Sequence, residues 1–248
     1  CAKHFAGYGA ADGGRDYDPV YLSEAQLRNV YFPPFRAAVE AGAGTFMSAY
    51  MDLNNVPAGA SRWLLSDVLR EEWGFEGFVV SDAFGVGNLV VQGFAADGRE
   101  AALRALTAGL NMDMASNTYA EHLAGLVAEG TLQEADLDAA VRPILALKVR
   151  MGLFEQPYAE EGLLEQVAAR PEHRQAARRA AQRSMVLLRN AGPPEQPPLL
   201  PLSKDLRSVA VIGPVAGSRE ATEGSWMVFG HQPAAVTVLE GIRAKLPR

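Results

Sequence analysis

Short apolar runs alternate with amphipathic stretches along the first two thirds of the chain. Three of the runs are bounded by glycine and are too short for helices, and they occupy residues 45–50, 77–82 and 109–114. A fourth run ends at Lys3 and His4. The last three strands recur about every thirty residues, which is the size of a βα crossover unit. Helical patterns at 60–73 and 99–108 lie between them, so the sequence predicts an α/β fold.

The predicted strands are apolar throughout, which is typical of a parallel sheet that is covered on both faces. Polar residues follow at their carboxyl ends: Lys3, His4, Tyr50, Ser81, Asp82 and Asp113. In a (β/α)8 barrel of the TIM type, this edge carries the catalytic groups. Because four strands of eight can be counted, we interpret the region as the C-terminal half of such a barrel and expect its first half to lie upstream of Cys1.

The pattern changes after this region. Helices at 119–129 and 133–151 close it, and a linker is expected from residue 156. A basic helix at 171–190 and a Pro-rich loop precede an apolar run at 208–214, which predicts the first strand of a second α/β domain. We therefore predict barrel residues 1–155, a linker at 156–171 and the start of an α/β sandwich domain at 172–248.

Composition excludes several classes of partner. The formal net charge of −6 argues against nucleic acid and anionic membranes, and the apolar runs are far shorter than the roughly 20 residues of a membrane span. The four histidines lack metal-ligand spacing, and Gly85-Val86-Gly87 has Val90 where a dinucleotide loop needs its third glycine. We expect no cofactor and no metal. No signal peptide is visible, but with the N-terminus expected to be missing, neither export nor a cytoplasmic location can be assigned.

Asp82 is the candidate nucleophile. It ends a buried strand, so its carboxylate should point from a rigid element toward the barrel rim, where it could attack an anomeric carbon. From position alone, an aspartate that caps the following helix is the more common alternative. Asp113 is a second rim carboxylate, and its flanking methionines favour a buried hydrogen-bonding role.

Four further residues could line a sugar site. Lys3 and His4 are adjacent donors that could bind hydroxyl groups, although a single histidine is more often structural. Tyr50 and Met47 could contact a sugar or could simply fill the barrel interior. The residues alone leave these alternatives open.

Many short segments match one family in order. They include Lys3-His4-Phe5-Ala6-Gly7-Tyr8-Gly9, Gly14-Arg15-Asp16-Tyr17, Gly77-Phe78-Val79-Val80-Ser81-Asp82, Gly152-Leu153-Phe154-Glu155 and Ser184-Met185-Val186-Leu187-Leu188-Arg189-Asn190. The sequence resembles family 3 glycoside hydrolases of the two-domain β-glucosidase type along essentially its whole length. The resemblance implies retaining hydrolysis of terminal β-D-glucosidic bonds with Asp82 as nucleophile. It also implies that Lys3, His4, Met47 and Tyr50 line the −1 subsite, and that Trp226 forms an aromatic wall of the +1 subsite.

Two departures from the family pattern matter. Many members have Trp directly after the nucleophile, and this chain has Ala83, so the aglycone preference is in doubt. The family's acid/base glutamate matches no position in 1–248, and Glu220 and Glu223 lie before its expected place. We therefore expect a fragment with little or no activity by itself.

Other readings remain. One alternative is a β-xylosidase or another exo-β-glycosidase of the same family, since these enzymes have the same motifs. Another is a non-catalytic sugar-binding remnant, which would not need the acid/base glutamate. The single-domain N-acetylglucosaminidases of the family use a histidine in the loop after the Lys-His strand as their acid/base. The corresponding loop, Ala10 to Asp18, contains no histidine, so this branch is disfavoured. The expected partner is a small-molecule or oligosaccharide β-glycoside, and the sequence does not indicate the oligomeric state.

Overall fold

The computed structural model describes residues 1–168, 170–192, 197–224 and 235–246. The chain divides into two compact units, Cys1–Glu161 and Gly162–Arg248. The boundary between them falls inside the segment 156–171 that the sequence marks as a linker. The two units are described separately below.

The first unit is built on a parallel sheet. Its strands are β1 (Ala2–Phe5), β2 (Thr45–Ser48), β3 (Asp52–Leu53), β4 (Val56–Pro57), β5 (Phe78–Ala83) and β6 (Met112–Met114). The main sheet has the order β1-β2-β5-β6 with every pair parallel, and β3 and β4 form a short antiparallel hairpin. The predicted α/β fold and its four strands are confirmed, while the hairpin was not predicted.

Helices cover the strands and follow them in the order expected of βα units. Those of the first unit are Glu24–Gln26, Leu27–Tyr31, Pro33–Glu40, Trp63–Glu72, Asn88–Val91, Gly98–Ala108, Thr118–Ala128 and Glu134–Arg150, and short 3₁₀ helices lie at Tyr8–Ala10, Asp12–Gly14 and Ala58–Ala60. Trp63–Glu72 and Leu27–Tyr31 are π-helical, and the backbone N–H of Trp73 donates to the Val68 carbonyl at 3.1 Å. Asp97 and Ser23 cap their helices through side-chain oxygens, which satisfies amide groups that would otherwise lack partners.

The larger hydrophobic core lies on one face of the sheet. Phe46 of β2 and Val79 of β5 belong to it, whereas their neighbours Met47 and Val80 are buried outside it. Because side chains alternate across a strand, Met47 and Val80 project to the opposite face, which Asp82 shares with Val80. The Phe46 ring is fully buried and lies 4.8 Å from the Phe75 ring and 5.6 Å from the Phe5 ring.

A polar network fixes the amino ends of β5 and β6. The Arg70 guanidinium donates to the Gly77 carbonyl at 3.0 Å and to Asn111 Oδ1 at 2.5 Å. Asn111 Oδ1 also accepts from the Val79 N–H at 2.8 Å, and its Nδ2 donates to the Ala140 carbonyl at 3.0 Å. Burial lowers the pKa of Arg70, because removal from water disfavours the charged guanidinium. The network ties two strands and the helix Glu134–Arg150 together at the end opposite the polar strand ends.

The second unit contains less regular structure. Its helices are Leu163–Ala168, Pro171–Ser184, Glu220–Thr222 and Val238–Arg243. The basic helix begins at Pro171 as predicted but ends at Ser184, six residues before the predicted end. The strand predicted at 208–214 is wrong, because these residues have no strand pairing, the last two form a bend and a turn, and Ile212 is almost fully exposed. An apolar run becomes a strand only where a neighbouring strand accepts its hydrogen bonds, and the described part of this unit offers none.

No helix among the described residues combines the length and the apolar character that crossing a bilayer requires.

Candidate active site

Asp82 lies at the carboxyl end of β5 and contacts both neighbouring segments. Its Oδ2 is 3.3 Å from His4 Nε2 on β1, and the side chains are 16% and 31% exposed, respectively. Its Oδ1 accepts the backbone N–H of Ala83 at 2.7 Å. The hydroxyl of Tyr50, which follows β2, is also hydrogen-bonded to Asp82. The carboxylate is therefore half-buried, held by three groups from adjacent strands, and still open to solvent.

Tyr50 acts as a donor to this carboxylate. Burial, followed by the hydrogen bond to Asp82 and its charge, raises the pKa of Tyr50 well above its usual value. The phenol therefore stays neutral at physiological pH and keeps the proton that it donates. Gln92 Nε2 donates to the Tyr50 carbonyl at 2.7 Å, so the segment that carries the ring is anchored from the loop after β5.

The loop after β1 adds residues that the sequence did not assign to the site. The Tyr8 hydroxyl donates to Asp16 in a short hydrogen bond, and its ring lies 5.7 Å from the His4 ring. Burial, and secondarily the Asp16 hydrogen bond, raises the pKa of Tyr8. The Tyr17 ring meets the Tyr50 ring edge-on at 4.9 Å. These residues lie in segments that match the family, but folding of the loop back over the strand ends leaves no signal in a single sequence.

Asp113 is the alternative carboxylate, and its hydrogen bonds differ from those of Asp82. Both of its oxygens accept from Ser116 Oγ at 2.6 Å, and Oδ2 also accepts from the Tyr119 N–H at 3.3 Å. All of these donors belong to the turn and the first residues of the helix Thr118–Ala128. Asp113 therefore orders the turn that follows β6, in line with the buried role that its neighbours indicate.

The other three predicted site residues make no described contact with Asp82. Lys3 is exposed, with no hydrogen bond or ion pair to any residue that the structure describes. Met47 is buried on β2 opposite Val80, on the face shared with Asp82. Trp226 lies outside the described residues. The structure thus brings His4, Tyr50 and Asp82 into contact, and the roles of all six predicted site residues stay predictions.

Within the described ranges, no group of three or more His, Cys, Asp or Glu side chains could hold a metal ion. The contacts of Asp82 suit chemistry at a carboxylate. A half-buried carboxylate that is positioned by a backbone N–H, a phenol and an imidazole can approach an electrophilic carbon while its neighbours bind hydroxyl groups.

Comparison with known proteins identifies the family. The model of the glycosyl hydrolase family 3 N-terminal domain matches residues 1–147. A periplasmic β-glucosidase of Salmonella typhimurium is 44% identical over 97% of this chain and 31% of its own length. A β-xylosidase of Formosa agariphila is 36% identical over 99% of this chain and 35% of its own length.

Solved structures agree with the sequence comparison. The crystal structure of a β-glucosidase from Listeria innocua in complex with glucose superimposes with a TM-score of 0.89 at 38% identity, and it covers 99% of this chain and 33% of that protein. The chain thus spans about a third of the length of the relatives that it matches. The matched domain, the parallel sheet and the ordered sequence motifs agree, and the chain belongs to glycoside hydrolase family 3.

Proposed function

We propose that this chain is the part of a retaining exo-β-glycosidase that carries the nucleophile, and that its substrates are terminal β-D-glucosides. The observation that carries the proposal is the contact of Asp82 with His4 and Tyr50 at the carboxyl ends of three adjacent parallel strands. In barrel enzymes, this edge is where substrates bind and react.

The proposed reaction has two steps. The Asp82 carboxylate attacks the anomeric carbon, a glycosyl ester forms, and the bond to the aglycone oxygen breaks while that oxygen takes a proton from a general acid. Water then attacks the same carbon, gives up its proton to the same acid/base group, and releases Asp82 and a sugar of retained configuration. Tyr50 holds the carboxylate oriented, and His4 is placed to bind both Asp82 and a sugar hydroxyl.

The general acid is proposed to be a glutamate outside residues 1–248, as the family resemblance implies. Glu220 and Glu223 lie in the second unit, in and just after the short helix Glu220–Thr222, and we assign neither of them to the reaction. A positioned general acid contributes about 10²–10⁴ in rate, so the 248 residues alone are expected to turn over little substrate.

The finer fold assignment belongs to the same proposal. We infer that β1, β2, β5 and β6 are the second half of a (β/α)8 barrel and that residues 172–248 begin an α/β sandwich domain. The barrel assignment is supported by the parallel order of the sheet, the polar residues collected at one edge, and the edge strands β1 and β6, each of which pairs on one side within the described ranges. The sandwich assignment is what the family resemblance implies.

Glucoside and xyloside are the two candidate substrates. The Salmonella typhimurium relative is named a periplasmic β-glucosidase, and the Listeria innocua β-glucosidase has been solved with glucose and, as a mutant, with laminaribiose. The Formosa agariphila relative is named a β-xylosidase. We favour glucosides because the Salmonella relative has the higher identity of the two.

The test is hydrolysis by the polypeptide encoded by the full open reading frame around this sequence. We expect it to cleave an aryl β-D-glucoside faster than the matching β-D-xyloside, and proton NMR should show β-glucose as the first product, because two displacements restore the configuration. α-Glucose as the first product would contradict the covalent mechanism. Binding of glucose without any turnover would instead support a sugar-binding protein.

A further inference from the structure

Two bulky aromatic residues near Asp82 have a backbone conformation that such residues rarely adopt. Tyr17 has a φ of 69° and Phe84 a φ of 60°. The other described residues with positive φ, glycine apart, are Asn54, Asn55, Ala115 and Asn117. Asparagine tolerates this region and alanine is small, whereas a bulky residue there is a true outlier. Such strain persists where the surroundings impose it and tends to cluster at functional sites.

Both strained residues also expose their aromatic rings. Tyr17 is 59% exposed and Phe84 is 58% exposed. An exposed ring gains little from burial in the core, so core packing does not account for the choice of residue at either position. A glycine at either position would relieve the strain and leave the core unchanged.

Backbone hydrogen bonds fix the position of Phe84, two residues after the nucleophile. Phe84 follows Asp82 by two residues, and its N–H donates to the Met114 carbonyl at 2.7 Å. The Gly85 N–H donates to the Asp82 carbonyl at 2.9 Å, and a Cβ atom on Gly85 would lie only 2.9 Å from that oxygen. The turn is therefore tight, and it holds Phe84 at the rim whatever its side chain.

Tyr17 reaches the same site from the loop after β1. Its N–H donates to Asp16 Oδ1 at 3.2 Å, and Asp16 in turn accepts from the Tyr8 hydroxyl. The Tyr17 ring stands edge-on to the Tyr50 ring at 4.9 Å with an interplanar angle of 64°. Tyr50 is bonded to Asp82, so one intervening ring separates Tyr17 from the carboxylate.

Apolar residues flank Phe84 along the chain. Ala83 lies between Asp82 and Phe84, and the short helix Asn88–Val91 exposes Val90 and Val91. Gln92, the next residue, is bonded to the Tyr50 carbonyl, which holds this helix near the site. The side chains of Ala83, Phe84, Val90 and Val91 offer no hydrogen bond to the hydroxyl groups of a second sugar ring.

We propose that Tyr17 and Phe84 are aglycone-binding residues, and that they select β-glucosides whose leaving group is aromatic or a flat apolar ring rather than a second sugar. This inference rests on the proposed function, because it places the sugar ring at Asp82. Aromatic rings in contact with one another gain more than their burial alone provides, which favours an aryl aglycone.

The experiment compares two ligands that are not hydrolysed, phenyl and methyl 1-thio-β-D-glucopyranoside. Titration calorimetry with the polypeptide of the full open reading frame measures both dissociation constants. We expect the phenyl compound to bind about tenfold more tightly, the factor that corresponds to roughly 1.4 kcal/mol. Phe84→Gly and Tyr17→Gly should each reduce that preference to below about threefold and should not destabilise the fold, since glycine suits a positive φ.

Two control variants accompany these. Tyr17→Phe keeps the ring and should keep the preference. Tyr158→Ala removes an exposed ring from the segment after the last helix of the first unit and should also leave the preference unchanged. Equal binding of the two thioglucosides by the wild type, binding of neither, or a preference that survives both glycine variants would overturn the inference.

Turnover is measured separately on an aryl β-D-glucoside. A protein that prefers the phenyl ligand but hydrolyses nothing would refute the proposed function and leave the aglycone site standing. A protein that hydrolyses the glucoside without preferring the phenyl ligand would support the proposed function and refute the aglycone site.

Discussion

Asp82→Ala is expected to lower kcat/KM for an aryl β-D-glucoside by about 10⁵-fold or more, since loss of a covalent nucleophile is among the costliest single changes in a hydrolase. The reason is structural: the carboxylate is the group that His4 and Tyr50 hold at the rim. The measurement is steady-state hydrolysis of this glucoside by the polypeptide of the full open reading frame. Azide, a small external nucleophile, should restore part of the rate in Asp82→Gly and yield a glucosyl azide of inverted configuration.

Asp113→Asn is the matched control. Asp113 also ends a strand of the sheet, but its bonds go to Ser116 and Tyr119 within its own turn. We expect this variant to unfold at a lower temperature, because the turn loses a charged acceptor, and to retain most of its kcat. A large loss of kcat in Asp113→Asn with little effect of Asp82→Ala would exchange the roles of the two carboxylates.

Phe46→Ala is expected to reduce the free energy of unfolding of the first unit by about 3–5 kcal/mol, the usual range for removal of a buried phenylalanine. Phe46 is fully buried on β2, and its ring contacts Phe5, Phe35 and Phe75. Urea denaturation followed by tryptophan fluorescence measures the change, since the Trp73 ring lies 5.7 Å from the Phe5 ring in the same cluster.

Phe154→Ala provides the comparison for this variant. Phe154 belongs to the same unit but is mostly exposed, so its removal should change the free energy of unfolding by less than about 0.5 kcal/mol. Equal effects of the two substitutions would mean that the aromatic cluster around β2 is not the core that holds the strand ends together.

Sequence patterns predicted the sheet and the polar strand ends well, because both follow from local rules. Buried parallel strands are continuous apolar runs, and β5 was found within one residue of its predicted place at each end. The helix Glu134–Arg150 likewise follows from its acidic first turn and its apolar periodicity. Asp82 and Tyr50 could be marked as candidates because each closes such a run.

Other features depend on contacts that a pattern does not contain. The strand predicted at 208–214 has the right composition but no partner strand within the described residues. Ile212 is almost fully exposed, while Val209 and Val211 are half-buried. The short hydrogen bond between Tyr8 and Asp16 joins residues eight apart in an irregular loop. The positive φ of Phe84 is imposed by bonds to Met114 and within the Asp82 turn, and Phe is a residue that sequence rules would not place there.

The most direct test of the central claim is to trap the glycosyl intermediate. A 2-deoxy-2-fluoro-β-D-glucosyl fluoride reacts with a retaining enzyme but slows the second step, because the fluorine destabilises the oxocarbenium-like transition state. After incubation with the polypeptide of the full open reading frame, peptide mass spectrometry locates the label. We predict one fluoroglucosyl group, esterified to Asp82. A label on any other residue, Asp113 included, would contradict the assignment.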